Sequence, residues 1–258
     1  MRARARCVTS RAVALDINRT QPLDRRDTLR ANAVAAMPWW YNPWAHLAFP
    51  SAVGIGTIAV AITLLKDVRP AELLTVPIVF LLVNLNEWHV HRNILHRRFW
   101  PLEQLFWRHT PEHHVIYVCD DMAMRSRQEF RLVLIPSYGI VAIFVTALPI
   151  TIALAMLVSR NVACLWVATT MGYVVAYEWL HLSYHLPGDS RVGRSAMIRV
   201  LRRHHAWHHT PELMQQWNFN VTLPLADWIL RTIHPGTRAA AVSERPRPVR
   251  SAGTTHGL

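Results

Sequence analysis

Charge is scarce in this chain, and negative charge is scarcer still. Asp, Glu, Lys and Arg make up 17% of the 258 residues while 52% are hydrophobic, a balance too apolar for an ordinary soluble globule. The 28 Lys and Arg outnumber the 16 Asp and Glu, for a formal net charge of +12. A nucleic-acid binder would gather such an excess on one soluble face. Here the basic residues flank long uncharged stretches, so a membrane with anionic headgroups is the expected partner and no nucleic acid is. Cysteine is limited to Cys7, Cys119 and Cys164, odd in number, far apart and without C-x-x-C spacing. That excludes a disulfide framework and a thiolate zinc site, so any metal must be held by nitrogen or oxygen. Residues 1–44 lack an apolar run long enough for the h-region of a secretory signal. With Arg2, Arg4, Arg6, Arg11, Arg19, Arg25, Arg26 and Arg30, they read as a cytoplasmic, partly disordered basic arm.

Long uncharged runs are what the chain does have. Residues 45–65 are uncharged over about the length a helix needs to cross hydrocarbon. Residues 73–86 form a shorter run that leads into Glu-Trp-His-Val-His and is expected to continue as a helix beyond the bilayer. Residues 132–159 fit either one long tilted crossing or a tight hairpin, with Pro136 and Pro149 compatible with both. Residues 161–177 are the last such run. Taking 132–159 as a single crossing gives about four spans. It also places residues 87–131, with Arg92, Arg97, Arg98, Arg108, Arg125, Arg127 and Arg131, on one face, and leaves only Lys66, Arg69 and Arg160 opposite. The arginine-rich face is the cytoplasmic one by the positive-inside rule, which makes this an inner-membrane-type protein. A hairpin would put the two histidine-rich regions on opposite sides and forbid a shared site. The expected class is therefore all-α and integral to the membrane, with a cytoplasmic helical cap. Its domain would cover 45–235, between the arm and a disordered basic tail at 236–258.

Histidine is the concentrated feature. Of 15, six lie between His89 and His114 and six between His181 and His209. Four groups stand out: His91 with His96; His109 with His113 and His114; His181 with His185; and His205 with His208 and His209. Together they offer ten imidazoles. Residues four apart on a helix share a face, so His181 with His185, and His205 with His209, can each direct two nitrogens at one metal. The neighbours His113 and His114, or His208 and His209, diverge by about 100° and suit two adjacent metals. His91 and His96 are five apart, roughly 140° off on an α-helix, so the helix is expected to end, bend or carry a wide turn between them. His109 precedes Pro111 and is expected just outside the helix holding His113. Ten ligands are too many for one tetrahedral ion, and two metals with about five each account for them. His46, His234 and His256 read as bystanders; His89 and His204 lie inside the clusters but outside these spacings, with supporting or surface roles. Glu178-x-x-His181 matches half of a carboxylate di-iron signature whose second copy is missing. Glu87 and Glu178 are thus either acceptors for imidazole N–H or helix-end polar residues. Trp88, Trp100, Trp107, Trp179 and Trp207 line an acyl channel or, the favoured reading, anchor at the membrane interface. His-Thr-Pro-Glu at 109–112 and 209–212 is either a repeat or two helix starts.

The order and spacing of the four groups resemble those of the fatty acid hydroxylase and sterol desaturase superfamily over roughly residues 80–235. The closing RRHHAWHHTPELMQQWNFNVTLPLADWILRT is similar to its bacterial members. The second group has three residues rather than two before its histidine pair. The resemblance implies an enzyme holding two iron ions on His91, His96, His109, His113, His114, His181, His185, His205, His208 and His209. It would use dioxygen to hydroxylate or desaturate a lipid acyl chain or sterol-like substrate. Since imidazole also favours zinc over ferrous ion, a purified sample could carry zinc. No haem or flavin module is evident in the arm, so electrons are expected from an external ferredoxin or cytochrome b5-like donor with its reductase. The rival from another class is a membrane metal (zinc) transporter or storage protein. It would place polar ligands near the bilayer midplane, whereas histidine occurs only at the margins of these runs.

Overall fold

The computed structural model describes residues 17–237. Residues 1–16 of the expected arm and 238–258 of the expected tail, with Cys7 and His256, lie outside them. Among the described residues the chain is all helical. The six longer helices are α1 (Leu23–Ala35), α2 (Pro43–Thr63), α3 (Thr75–Val90), α4 (Ser137–Leu157), α5 (Arg160–Tyr184) and α6 (Ala196–His208).

Two of the long helices, α2 and α5, start where the local sequence supplies a side-chain cap. Asn42 accepts the Ala45 N–H at 3.0 Å with Pro43 in the first turn, where its missing N–H costs nothing. Ser159 accepts the Val162 N–H at 3.1 Å and opens α5. α2, α3 with its flanking turns, and α4 are long and apolar enough to cross a bilayer, and the protein is a membrane protein on that ground. Residues 137–157 form one uninterrupted helix, as a single crossing requires, and Pro149 does not break it. Leu132, Val133 and Leu134 belong instead to a buried core with Tyr117, Phe130 and Leu182.

The fourth uncharged run is part of α5, which at 25 residues is about 37 Å long. Its apolarity falls short of the other three because its inward side carries Thr170, Tyr173, Glu178 and His181, all buried. α5 is the central helix, packed against α2, α3 and α4. The approach of α2 is close at Gly54, where a Cβ would lie 2.5 Å from the Val175 side chain. At one end of the bundle Asn161 bonds the Lys66 N–H and C=O at 3.1 and 2.7 Å, and Ser159 donates to Glu72 at 2.6 Å. Residues 66–72 and the α4–α5 junction therefore meet, and the other ends of α2 to α5 converge on the histidine region.

Part of the expected arm is ordered and docked. α1 buries Arg26 and Arg30 against the histidine cap: Arg26 pairs with Asp121 at 3.1 Å and Arg30 with Glu129 at 2.6 Å. Four residues apart, the two arginines share one helix face. Removing one partner of a buried pair such as Arg30–Glu129 costs about 3–5 kcal/mol.

Candidate metal centre

Two widened turns bring the first histidines together. Residues His91–Leu95 and Arg108–His113 are π-helical, and the His96 N–H bonds the His91 carbonyl at 3.2 Å, five residues back. This is the wide turn that the five-residue spacing of His91 and His96 allows, and it sets the two rings stacked at 5.1 Å. The expected exclusion of His109 from the helix is corrected. Pro111 lacks an N–H, and the π turn accommodates it, so His109 lies inside the same helical stretch as His113 and is five residues from His114. α5 carries His181 and ends at His185, and α6 carries His205 and His208 and ends at His209.

The ten side chains gather into two groups. His91, His96, His109, His114 and His208 form the first; His113, His181, His185, His205 and His209 form the second. Within each, one ring nitrogen per residue lies within 4.8 Å of the others. The neighbours His113 and His114 fall in different groups, as do His208 and His209, while His181 and His185 fall together. The groups abut: His114 of the first stacks on His209 of the second at 4.2 Å. Nine of the ten are buried and His109 is half-buried.

Most rings are aimed by a bond from the remote nitrogen. Nδ1 donates from His113 to the Leu132 carbonyl at 2.9 Å, from His185 to Met122 at 2.8 Å, from His208 to Trp217 at 2.9 Å and from His209 to Tyr117 at 2.7 Å. His91 donates likewise to the Phe219 carbonyl. Thr110 gives its own proton to the Leu95 carbonyl at 2.8 Å, which leaves its oxygen to accept from His96 Nδ1 at 3.0 Å. Such bonds fix the tautomer and leave Nε2 as a lone pair, the form that ligates a metal. Burial holds His96, His109, His114, His185, His205, His208 and His209 well below the usual imidazole range and His113 at about 3, so the rings are neutral. His113 Nε2, His185 Nε2 and both His181 nitrogens are buried with no hydrogen-bond partner. Unpaired buried ring nitrogens are costly, and a cation taking their lone pairs removes that cost for the acceptor nitrogens. Both groups can hold a metal ion.

The remaining sequence candidates sit elsewhere. His204 turns to Asp227 at 3.1 Å, His89 is exposed beside Asn93, His46 bonds Tyr41 and the Ile135 carbonyl, and His234 stacks on Trp207 at 4.6 Å. Neither glutamate accepts from a histidine ring. Glu178 takes the Ile135 N–H at 3.0 Å, and Glu87 takes Tyr173, Thr222 and the Val221 N–H. Trp100, Trp107 and Trp179 are exposed, in keeping with interfacial anchors, and Trp88 packs on Phe219. Neither His-Thr-Pro-Glu starts a helix: the first is in the π turn and the second in turns after α6. Sequence reasoning missed Asp227, whose carboxylate takes the Phe219 and Asn220 N–H groups at 2.9 and 2.7 Å beside the carbonyl that aims His91. Its only signal was position, a lone acid in the apolar stretch Leu-Pro-Leu-Ala-Asp-Trp-Ile-Leu.

No curated protein and no solved structure matches the chain. The fatty acid hydroxylase family model matches residues 76–232, a segment that holds all ten clustered imidazoles and more than half of the chain. The match and the two histidine groups together identify the chain as a member of the fatty acid hydroxylase family.

Proposed function

We propose that this chain is a membrane-bound, non-haem di-iron oxygenase that hydroxylates or desaturates a lipid acyl chain or sterol-like lipid, with electrons from an external ferredoxin or cytochrome b5-like donor. The observation that carries this reading is the donor set, two abutting groups of five buried imidazoles. Five exceeds the four ligands of a structural zinc and the three of a catalytic one. Two iron ions there, with dioxygen and supplied electrons, would provide the oxidation of an unactivated C–H bond. His91, His96, His109, His114 and His208 would hold one, and His113, His181, His185, His205 and His209 the other.

The protein's own work is orientation and exclusion. Carbonyls of Tyr117, Met122, Leu132, Trp217 and Phe219 hold five rings by their Nδ1 protons. Burial of nine rings keeps bulk water from the donors. The histidines cluster where α3 and α5 end, away from the middle of the runs, which favours an enzyme at the bilayer surface over a transporter with midplane ligands. In this reading α5 is the fourth crossing, both chain ends and the cap are cytoplasmic, and the bilayer is a bacterial inner membrane. Residues 45–235 would be the working domain, with α1 docked on it.

The deciding experiment is lipid mass spectrometry under 18O-labelled dioxygen in a host expressing this chain or its His208→Ala form. One lipid class should gain label, or lose two hydrogens, with the natural chain only. Identical lipid profiles in the two hosts would sink the reading.

A further inference from the structure

The two histidine groups draw their support from different parts of the chain. In the second group, His209 and His185 are aimed by the Tyr117 and Met122 carbonyls at 2.7 and 2.8 Å. In the first, His91 and His208 are aimed by the Phe219 and Trp217 carbonyls. Residues 116–129 are gripped by α1. Arg26 pairs with Asp121 at 3.1 Å. Arg30 pairs with Glu129 at 2.6 Å, reaches the Ile116 and Ala123 carbonyls at 3.4 Å each, and lies over the Tyr117 ring at 5.0 Å. The Tyr117 hydroxyl donates to the same Glu129 oxygen at 2.8 Å, and its ring lies 4.7 Å from His185. Residues 217–222 are held instead by Asp227, by the His204 carbonyl that takes the Asn218 amide at 2.9 Å, and by Glu87.

We infer that Arg30 is a positioning residue for the second histidine group alone, so that α1, which lies outside the family-matched segment, makes the two metal sites separable. The inference rests on reading the groups as metal sites. Its physical content is local. Glu129 is fully buried and its charge is balanced by Arg30. Without that guanidinium the Glu129 carboxylate keeps the Arg125 and Ser126 N–H groups but is left a buried charge with no cation against it, a costly state that the segment relieves by shifting. Tyr117, bonded to it and stacked under Arg30, then loses the register of the carbonyl that orients His209. The carbonyls at 217 and 219 have their own supports, and the first group should not respond.

The test uses the full chain in lipid nanodiscs, loaded with cobalt(II) in place of iron, with metal per chain measured after dialysis. The natural chain should hold two ions and Arg30→Met one, while Arg30→Lys, which restores the charge, should return to two. Combined variants assign the loss, because changes acting on one site do not add. Arg30→Met with His209→Ala should still hold one ion, and Arg30→Met with His208→Ala none. Two ions in Arg30→Met, loss of both in that single variant, or an ion surviving in the Arg30→Met, His208→Ala pair would each overturn the inference. Fewer than two in the natural chain would overturn the metal-site reading and this inference with it.

Discussion

His96 and His208 present their Nε2 atoms to each other at 2.9 Å, although each ring has already given its Nδ1 proton away, to Thr110 and to the Trp217 carbonyl. Two neutral imidazoles in those tautomers have only lone pairs to offer at that distance. No hydrogen bond can form between them, and the contact is favourable only with a cation shared by both nitrogens. Donors come from the end of the π turn after α3 and from α6, some 112 positions apart in sequence, so the site closes only when the bundle has assembled.

Alanine at His96 or His208 should therefore abolish activity and remove metal from the first group, whereas His204→Ala should keep its metal. His204 faces Asp227, and its loss should reduce activity by about tenfold to a hundredfold, the usual scale for a group acting through its neighbours. Metal analysis of the purified variants checks this. If His204→Ala lost metal as fully as His208→Ala while His205→Ala kept it, the register assigned to the last cluster would be off by one.

Asp227→Ala should weaken the first group from a distance. It strips partners from the Phe219 and Asn220 N–H groups and from Thr232, and each buried donor left unpaired costs about 1–3 kcal/mol. The expected outcome is a lower unfolding temperature with weaker metal binding at one of the two sites. A variant as stable and as fully loaded as the natural chain would show that the 217–222 segment holds itself.

Much of this was legible in the sequence because membrane helices and histidine ligands leave strong local signals. The uncharged runs marked α2, α3, α4 and α5, and the five-residue gap between His91 and His96 showed that a regular α-helix could not continue between them, with a wide turn as one of the outcomes it allowed. The limits have physical causes. Pro111 was read as a boundary because proline normally ends an α-helix, but a π turn has room for it. α1 was read as part of a loose arm because its arginines resemble any basic segment. Only the fold shows that Arg26 meets the half-buried Asp121 and Arg30 the buried Glu129, each about a hundred residues away. Glu87 offered two roles in the sequence, and its choice of Val221 and Thr222 is a tertiary contact that no spacing encodes.

Topology can be tested without activity. In a cysteine-free background, single cysteines at Asp120 and at Ser190 should be labelled from the same side of the membrane, and one at Lys66 from the other. Opposite labelling of 120 and 190 would break the common face on which both histidine groups depend.

Catalysis should depend on a separate electron donor. The ten imidazoles can bind metal, but a neutral imidazole is no reductant, and each oxidation of a C–H bond by dioxygen with release of water consumes two electrons beyond those taken from the substrate in hydroxylation. Purified, iron-loaded protein given lipid and dioxygen alone should stop after at most one turnover per chain. Addition of a ferredoxin or cytochrome b5-like donor with its reductase and NADPH should restore continuous product formation, followed by mass spectrometry of the lipid over time. The Arg30→Lys form should respond to the donor as the natural chain does, because α1 supports metal binding in this scheme and not electron supply. Sustained turnover with no donor and no reductant would mean that the chain carries a source of electrons of its own, and the external-donor reading would have to be abandoned.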